Sequence, residues 1–197
     1  MTLKEGIKHK GHPYLIRGCT RNDLPEFFRK RGYKVGAEIG VYKGEFTTEF
    51  CKAGLKIYGI DPWGIFKDYP SDEARLERQE FLRGHAKRVL APYDNKVLIR
   101  KISMDAVQDF ELESLDFVYI DGNHKFRYVA EDIYEWSKRV RKGGIVSGHD
   151  YFNTGNYGDL IVVKNVVDAY VKSYKIDPWY VFGGTKDKWP SWMWVKE

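Results

Sequence analysis

Short apolar runs and amphipathic stretches alternate along the chain. Five mostly apolar runs predict buried strands: "VGAEIG", "LKIYGID", "KVLIRKI", "LDFVYID" and "GGIVSGHDY". Apolar residues at three- and four-residue steps predict helices before and between them. These helices are "LPEFFRKRG", "EFTTEFCKAG", residues 72–90, "KFRYVAEDIYEWSKRV" and "DLIVVKNVVDAYVKSY". In the fourth of them, one predicted apolar stripe contains Phe126, Val129, Ile133, Trp136 and Val140.

This alternation predicts a doubly wound, Rossmann-like α/β sheet that is mostly parallel. The run "LDFVYID" is apolar at nearly every position, as expected of a parallel strand covered by helices on both faces. Two closing strands, "WYVFGG" and "SWMWVK", are joined only by "TKDKWP". Because this connection is too short for a helical crossover, the pair is predicted to form an antiparallel hairpin. The predicted sheet therefore has seven strands and ends in a C-terminal antiparallel hairpin.

Length and composition favour a single soluble domain. The 197 residues are 43% hydrophobic, which is sufficient for a sizeable core. The two cysteines, Cys19 and Cys51, form no disulfide framework and lack metal-type spacing, which is typical of a reducing compartment. The sequence begins without a signal-peptide pattern, and no run of about 18 apolar residues predicts a membrane span. We therefore expect a cytoplasmic protein; its oligomeric state stays open, with a homodimer among the options.

Positive charge is concentrated in residues 1–34. This segment has nine Lys/Arg and three Asp/Glu, which gives it a net charge of +6. Since the whole chain has a net charge of +5, the rest of the chain has a net charge of −1. We expect residues 1–34 to pack, through a short helix, on a single domain formed by residues 35–197. The charge indicates either an anionic partner, such as nucleic acid or a phosphorylated substrate, or a solvated extension, which is the commoner case.

Candidate functional residues stand at the carboxyl ends of the predicted strands, where open α/β sheets bind their ligands. Four of the five strands deliver an ionisable side chain to this edge, although such groups are rarely placed at buried strand ends. In chain order the ends carry the turn Gly40–Gly44; Asp61; Ser103, Met104 and Asp105; Asp121, Asn123 and His124; and His149 and Asp150.

The stretch "VGAEIGVYKGEF" predicts a tight turn from a strand into a helix. Gly40 and Gly44 permit a ligand to approach the backbone beside the helix N-terminus. A dinucleotide-binding turn has the pattern G-x-G-x-x-G, but Tyr42 occupies the middle position here, and Glu38 and Glu45 would repel a diphosphate. These two acids suit a ligand with a positive or zwitterionic part, such as an amino acid or a sulfonium.

Asp61, 17 residues after Gly44, is spaced to bind the hydroxyls of a ribose. With these features, residues 35–197 resemble the class I S-adenosylmethionine-dependent methyltransferases. "EIGVYKG" resembles the first motif of that family, "YGIDPW" its ribose-binding acid and "SMDA" its adenine-edge motif, although the middle glycine of the first motif is absent at Tyr42. The resemblance implies that Glu38 and Gly40 hold the methionine portion. The cofactor-binding residues expected on this basis are Glu38, Gly40, Gly44, Asp61, Trp63, Met104, Asp105 and Asp121; for Trp63, a place in the core or at the rim is the alternative.

A narrower resemblance concerns the fourth and fifth strands. "DFVYIDGNHKFRYVAEDI" and "GGIVSGHDY" are similar to the macrocin-type and related small-molecule O-methyltransferases, with cephalosporin-hydroxylase-like proteins nearby. These enzymes often bind Mg²⁺ through an acid that ends strand four and a pair that ends strand five. The matching residues are Asp121, His149 and Asp150. Since His is a poor ligand for Mg²⁺, either a softer ion such as Mn²⁺ or Fe²⁺ binds, or no metal binds.

The predicted function is S-adenosylmethionine-dependent methyl transfer to an oxygen atom of a small-molecule acceptor, with an anionic acceptor among the options. In-line displacement needs aligned reactants and a deprotonated acceptor. A cation at Asp121 and Asp150 would lower the pKa of the acceptor hydroxyl, and His124 or His149 would take its proton. His124, His149 and Asp150 are thus the predicted catalytic residues, with helix capping as the alternative for His124. The loop "YFNTGNYG", residues 151–158, is expected to line the acceptor pocket.

Two other functions stay open at this stage. One is a nucleic-acid methyltransferase or binder that uses the basic N-terminal segment. Against it, "IDGNH" differs from the N/D-P-P-Y/F-type motif of enzymes that methylate amino groups of bases. The other is a non-methylating relative that binds a metal or NAD(P), which the absent G-x-G-x-x-G and the closing hairpin disfavour.

Overall fold

The computed structural model describes residues 1–64, 76–152, 161–184 and 189–197. Residues 72–75 and 159–160 of two predicted helices, and 153–158 of the predicted acceptor loop, lie outside this range. The strands are β1 (Tyr14–Ile16), β2 (Val35–Ile39), β3 (Lys56–Ile60), β4 (Lys96–Ile99), β5 (Leu115–Ile120), β6 (Val140–Gly148), β7 (Trp179–Phe182) and β8 (Ser191–Val195). The helices are α1 (Leu3–Gly6), α2 (Leu24–Lys30), α3 (Glu45–Lys52), α4 (Leu76–Leu90), α5 (Ser103–Ala106), α6 (Phe126–Arg139) and α7 (Val163–Ser173).

The strands form one sheet in the order β1-β7-β8-β6-β5-β2-β3-β4. Every neighbouring pair is parallel except those of β8, which runs antiparallel to both β6 and β7. The prediction of a doubly wound, mostly parallel sheet with a C-terminal antiparallel hairpin is therefore confirmed. The hairpin places β8 inside the sheet, between β6 and β7.

The number of predicted strands was one too low, because the N-terminal segment adds β1 at the edge of the sheet. β1 pairs in parallel with β7, with Tyr14 opposite Tyr180 and Ile16 opposite Phe182. The Tyr180 hydroxyl also donates a hydrogen bond to the carbonyl oxygen of Ile7 at 2.7 Å. Three residues are too few to show a strand pattern, and the pairing depends on a strand far along the chain. A domain division at residue 35 stays a prediction.

Helices cover both faces of the sheet, as the continuous apolar strands require. On one face, Phe28 of α2 and Phe50 of α3 pack on Phe117 of β5, with ring centroids 4.4 and 5.2 Å apart. On the other face lies the stripe of α6, where Val129, Ile133 and Trp136 are at most 3% exposed. Phe126 of the predicted stripe, the first residue of α6, is instead 64% exposed.

None of the described helices combines the length and the apolar composition that a membrane span requires.

Candidate functional site

The carboxyl ends of β2, β3, β5 and β6 line a cavity of about 820 Å³. The cavity size is in the range typical of small-molecule and cofactor sites. The residues of the predicted site that line it include Glu38, Gly40, Asp61, Ser103, Met104, Asp121, Asn123, His124, His149 and Asp150. The described lining residues do not include Gly44, Trp63 or Asp105. Parallel strands thus bring most of the predicted residues together at one edge.

Gly40 occupies a position where the Cβ atom of any other residue would clash with the backbone of Asp121. Its φ is +95°, and a Cβ atom there would lie 2.1 Å from the carbonyl oxygen of Asp121. Asp61 at the end of β3 stabilises the turn that follows. Its Oδ2 accepts hydrogen bonds from the backbone N–H groups of Val41 at 3.1 Å and Tyr42 at 2.9 Å. The turn therefore leaves the end of β2 with its backbone close to the cavity.

Three predicted cofactor-binding residues have structural surroundings instead. Trp63 is 2% exposed, and its indole N–H donates to the carbonyl oxygen of Tyr42 at 3.0 Å. This hydrogen bond stabilises the turn that follows β2. Gly44 precedes α3 with φ +79°, where a Cβ atom would meet side chains of α4. Asp105 is exposed on α5. A direct contact of these three residues with a cofactor stays a prediction.

Glu38 is buried at the base of the cavity, with 2% exposure. The Thr47 hydroxyl donates a hydrogen bond to its Oε2 at 2.5 Å. Burial raises the pKa of Glu38 to about 8; the Thr47 hydrogen bond opposes the rise, and the nearby Asp121 charge adds to it. Near neutral pH the side chain is therefore mostly protonated, so the negative charge expected from the sequence is largely absent there.

Arg21 is a site residue that the sequence did not single out. It lies in a short 3-10 turn (Arg21–Asp23) of the N-terminal segment and lines the cavity. Its Nη1 donates to Asp121 Oδ2 at 3.1 Å, and its guanidinium lies 5.3 Å from the ring centroid of Phe46. The contact joins residues 100 positions apart, and the only earlier signal was the general positive charge of the segment.

His124 lies between two carboxylates at the ends of β5 and β6. Its Nε2 is 2.9 Å from Asp150 Oδ2 and 3.5 Å from Asp121 Oδ1. Burial alone would lower the pKa of His124, but the interactions with Asp121 and Asp150 outweigh it and raise the pKa well above its ordinary value. The imidazolium form is thus favoured, and this form stabilises negative charge rather than accepting a proton.

Asp150 adopts a backbone conformation that is uncommon outside glycine, with φ +55°. The residue is buried, which alone would raise the pKa of its carboxyl group, but hydrogen bonds from His124 and His149 lower the pKa overall. His149 Nδ1 lies 3.0 Å from Asp150 Oδ1 and 3.9 Å from Asp121 Oδ2. Its Nε2 is buried and finds no hydrogen-bond partner among the described residues. The contact of His149 Nδ1 with Asp150 Oδ1 therefore helps to hold the Asp150 carboxylate in place.

The geometry changes the predicted metal set. Asp121, His124 and Asp150 offer ligand atoms that lie within 4.8 Å of one another, so His124 becomes a candidate ligand beside the two carboxylates, and His149 as a ligand stays a prediction. Two oxygen donors and one imidazole nitrogen suit Mn²⁺, Fe²⁺ or Zn²⁺ better than Mg²⁺. A divalent ion there would compete with the His124 proton and with the Arg21 guanidinium for the same carboxylates.

A further buried acid, Asp132, lines the cavity on the α6 side. Asp132 is 3% exposed, and burial raises its pKa to about 7 although a hydrogen bond from Ser103 lowers it. The Ser103 hydroxyl donates to Asp132 Oδ1 and accepts a hydrogen bond from Trp136 Nε1–H at 2.7 Å. Both Ser103 and Asp132 line the cavity. The helical stripe of α6 did not single out Asp132, because a charged residue in a helix is usually exposed.

A doubly wound sheet that ends in a reversed strand, with a glycine turn after β2 and an acid after β3, defines the class I methyltransferase fold. The chain belongs to the family described as "Methyltransferase domain", whose model matches residues 37–151. This match covers more than half of the chain and confirms the family resemblance. Arg21 lies outside the matched residues.

Solved structures of the same fold support this assignment. The O-methyltransferase from Bacillus cereus in complex with S-adenosylhomocysteine has a TM-score of 0.62 at 15% identity, covering 89% of this chain and 80% of that one. The O-methyltransferase TomG from Streptomyces achromogenes, in complex with S-adenosylmethionine, has a TM-score of 0.62 at 14% identity, with 90% and 79% covered. An rRNA methylase from Streptococcus thermophilus has a TM-score of 0.63 at 15% identity, with 91% and 98% covered. At these identities the likeness concerns the fold.

Among curated proteins, the uncharacterized protein y4gI of Sinorhizobium fredii is 22% identical over 125 residues. The match covers 57% of this chain but only 12% of that protein.

Proposed function

We propose that the protein transfers the methyl group of S-adenosylmethionine to an oxygen atom of a small-molecule acceptor. One observation carries the proposal: a single cavity joins the Gly40 turn and Asp61 to the group formed by Asp121, His124 and Asp150. The first part suits a ribosyl amino-acid cofactor, and the second suits an oxygen atom that must lose a proton. The methyltransferase-domain family supports the reaction, and relatives of this fold crystallised with S-adenosylmethionine or S-adenosylhomocysteine support the cofactor.

The cofactor would lie across the ends of β2 and β3. Asp61 would bind the ribose hydroxyls, as the sequence predicts. The methionine portion is a zwitterion, and the cavity offers a matching pair of charges beside Gly40: Asp121 for the ammonium group and Arg21 for the carboxylate. Glu38, which is mostly protonated near neutral pH, also lines the cavity and supplies a carboxylic acid group for hydrogen bonding.

The acceptor oxygen would lie on the side of Asp150 and His124. Methyl transfer from a sulfonium requires the acceptor oxygen, the methyl carbon and the sulfur in line. The positively charged His124, held by Asp121 and Asp150, would stabilise the acceptor oxygen as an anion that has already released its proton to solvent. Acceptors that ionise readily, such as phenols and carboxylic acids, are therefore favoured.

A divalent ion, if bound, would be held by Asp121, His124 and Asp150 and would lower the pKa of a coordinated hydroxyl group. The contacts of Arg21 and His124 with these carboxylates already supply positive charge at the same place. Metal assistance therefore stays open in the proposal.

Contacts within the N-terminal segment favour a small molecule over a nucleic acid. Arg29 and Lys30 pair with Glu26 at 2.6 and 3.3 Å, and Arg21 pairs with Asp121. Arg31 donates from Nε to the Tyr33 hydroxyl at 2.9 Å. Among the contacts of the described residues, four of the nine basic residues of the segment thus have partners, which weakens the case for a phosphate-binding surface. A cytoplasmic location stays a prediction.

Calorimetry with S-adenosylhomocysteine, with and without Mg²⁺ or Mn²⁺, tests the cofactor. Transfer of a labelled methyl group from S-adenosylmethionine to a panel of phenols, carboxylic acids and RNA tests the acceptor. His124→Gln should lower the transfer rate constant by about 100-fold and leave S-adenosylhomocysteine affinity within about threefold, while the exposed His9→Gln changes neither. Absence of S-adenosylhomocysteine binding under every condition would exclude the proposed function, and transfer to RNA alone would exclude the small-molecule acceptor.

A further inference from the structure

Asp132 is a buried carboxyl group for which the proposed methyl transfer gives no role. It lies in the second turn of α6, on the inner face of the helix, and its side chain lines the cavity. A carboxyl group in this position is costly unless it is hydrogen-bonded, and one of its two oxygen atoms is bonded within the protein. The other oxygen decides what the residue can bind.

The direction of the hydrogen bonds around Asp132 follows from the chemistry of Trp136. An indole N–H can only donate, so the Ser103 oxygen must accept the bond from Trp136 Nε1. The single hydroxyl proton of Ser103 is then committed to Asp132 Oδ1. This chain fixes the carboxyl group in place. Oδ2 lies on the side of Gly122, where an added Cβ atom would be 3.7 Å from it, and Gly122 also lines the cavity.

The base of the cofactor would lie on this side of the cavity. Asp61 at the end of β3 marks the ribose, and the ends of β4 and α5 continue the lining with Ile102, Ser103 and Met104. Adenine presents a hydrogen-bond donor, its exocyclic amino group, at the six-position. A carboxylate oxygen is an acceptor that matches this group and would repel the oxygen atom at the same position of hypoxanthine.

We propose that Asp132 recognises the adenine base of the cofactor, with Oδ2 accepting a hydrogen bond from the six-amino group while Ser103 and Trp136 hold the carboxyl group in place. The inference rests on the proposed function and adds the residue that determines base specificity. It replaces the sequence-based expectation that Asp105 borders the adenine, since Asp105 is exposed and is not among the described residues that line the cavity.

The test compares S-adenosylhomocysteine with S-inosylhomocysteine, in which hypoxanthine replaces adenine, by calorimetry at about pH 8, where the carboxyl group is ionised. The wild-type protein should bind the adenine ligand at least roughly tenfold more tightly. In Asp132→Asn, the amide oxygen must accept the Ser103 proton, so the NH₂ group turns toward the cavity. This donor suits the hypoxanthine oxygen and opposes the adenine amino group, so the preference should reverse. Asp105→Asn, the same change on an exposed residue, should leave it unchanged.

A reversed preference in Asp132→Asn supports the proposal, because a purely structural role would weaken both ligands by the same factor. Equal loss of both ligands in that variant, or a changed preference in Asp105→Asn, would overturn it. If Asp132→Asn does not fold, the wild-type protein still decides, since equal affinity for the two ligands shows that no side chain recognises the six-position. A wild-type protein that binds S-adenosylhomocysteine tightly but fails these tests loses only this inference, whereas one that binds neither ligand loses the proposed function as well.

Discussion

Replacing Glu38 with glutamine removes an ionisable group from the base of the cavity and keeps its shape. Glutamine can still accept the hydrogen bond from Thr47, which is 2.5 Å long in the wild-type protein. The two side chains differ mainly in that glutamine has no proton to lose. The variant therefore isolates the energetic effect of ionising a carboxyl group that is only 2% exposed.

The magnitude follows from the difference between the folded and unfolded pKa values of Glu38. The pKa of Glu38 is about 8 in the folded protein and 4.5 in the unfolded chain, where the side chain is not buried. Between these two pH values the folded protein keeps a proton that the unfolded chain has lost. The free energy of unfolding of the wild-type protein must then fall as the pH rises through this window. At about 1.4 kcal/mol per pKa unit, the loss is of the order of 5 kcal/mol, and it is complete above pH 8. Glu38→Gln lacks this loss.

Urea denaturation of both proteins between about pH 5 and pH 9 measures the effect. Near pH 5 the two should differ little, and toward pH 9 the variant should become the more stable protein by several kcal/mol. The exposed Glu45→Gln, one residue into α3, should show no comparable trend. A difference between wild type and Glu38→Gln that stays constant with pH would show that Glu38 is ionised in the folded protein, and the reasoning from burial would be refuted.

Gly40→Ala should destabilise the protein by roughly 3 kcal/mol or more, because the new Cβ atom would meet the Asp121 carbonyl oxygen at 2.1 Å, whereas Gly54→Ala, at φ +77° but with open space around it, should cost about 1 kcal/mol. Equal losses in thermal denaturation would mean that backbone conformation alone matters at Gly40. Arg21→Met should weaken S-adenosylhomocysteine binding roughly tenfold by removing the cation beside the methionine carboxylate, and Arg17→Met, an exposed change in the same segment, should not. Unchanged calorimetric affinity in Arg21→Met would remove this residue from the cofactor site.

The sheet was predictable because a parallel strand must be apolar on both faces, which marks "LDFVYID" and its neighbours along the chain. The hairpin followed from the shortness of its connection. β1 could not be predicted in this way, since Tyr14–Ile16 is too short to show a period and is held by pairing with β7. Contacts between distant segments leave no local pattern in a sequence.

The same distinction applies to the site. Gly40, Asp61, Asp121 and Asp150 were predictable because parallel strands bring their carboxyl ends to one edge, whatever the side chains that follow. Arg21 reaches that edge from a turn before the first predicted strand, so strand order gives no information about it.

His124 and His149 show a different limit. Both were predicted at the edge, but the sequence could not tell how closely each imidazole approaches the Asp150 and Asp121 carboxylates. These distances are 2.9 and 3.5 Å for His124, and 3.0 and 3.9 Å for His149. Trp63 lies in the core, the alternative that its aromatic type left open. Asp132 is the reverse of what its type suggests, because this acid within a helix is buried and lines the cavity.

The pairing of β1 with β7 also has a consequence for biosynthesis. Residues 14–16 leave the ribosome long before their partners at positions 180–182. During that interval the nascent chain can build the Gly40 turn and its contacts with Asp61, while β1 has no partner strand. A translation product that stops before residue 179 would thus contain every residue of the family match and lack the strand that pairs with β1. β1 can therefore join the sheet only after β7 has been made.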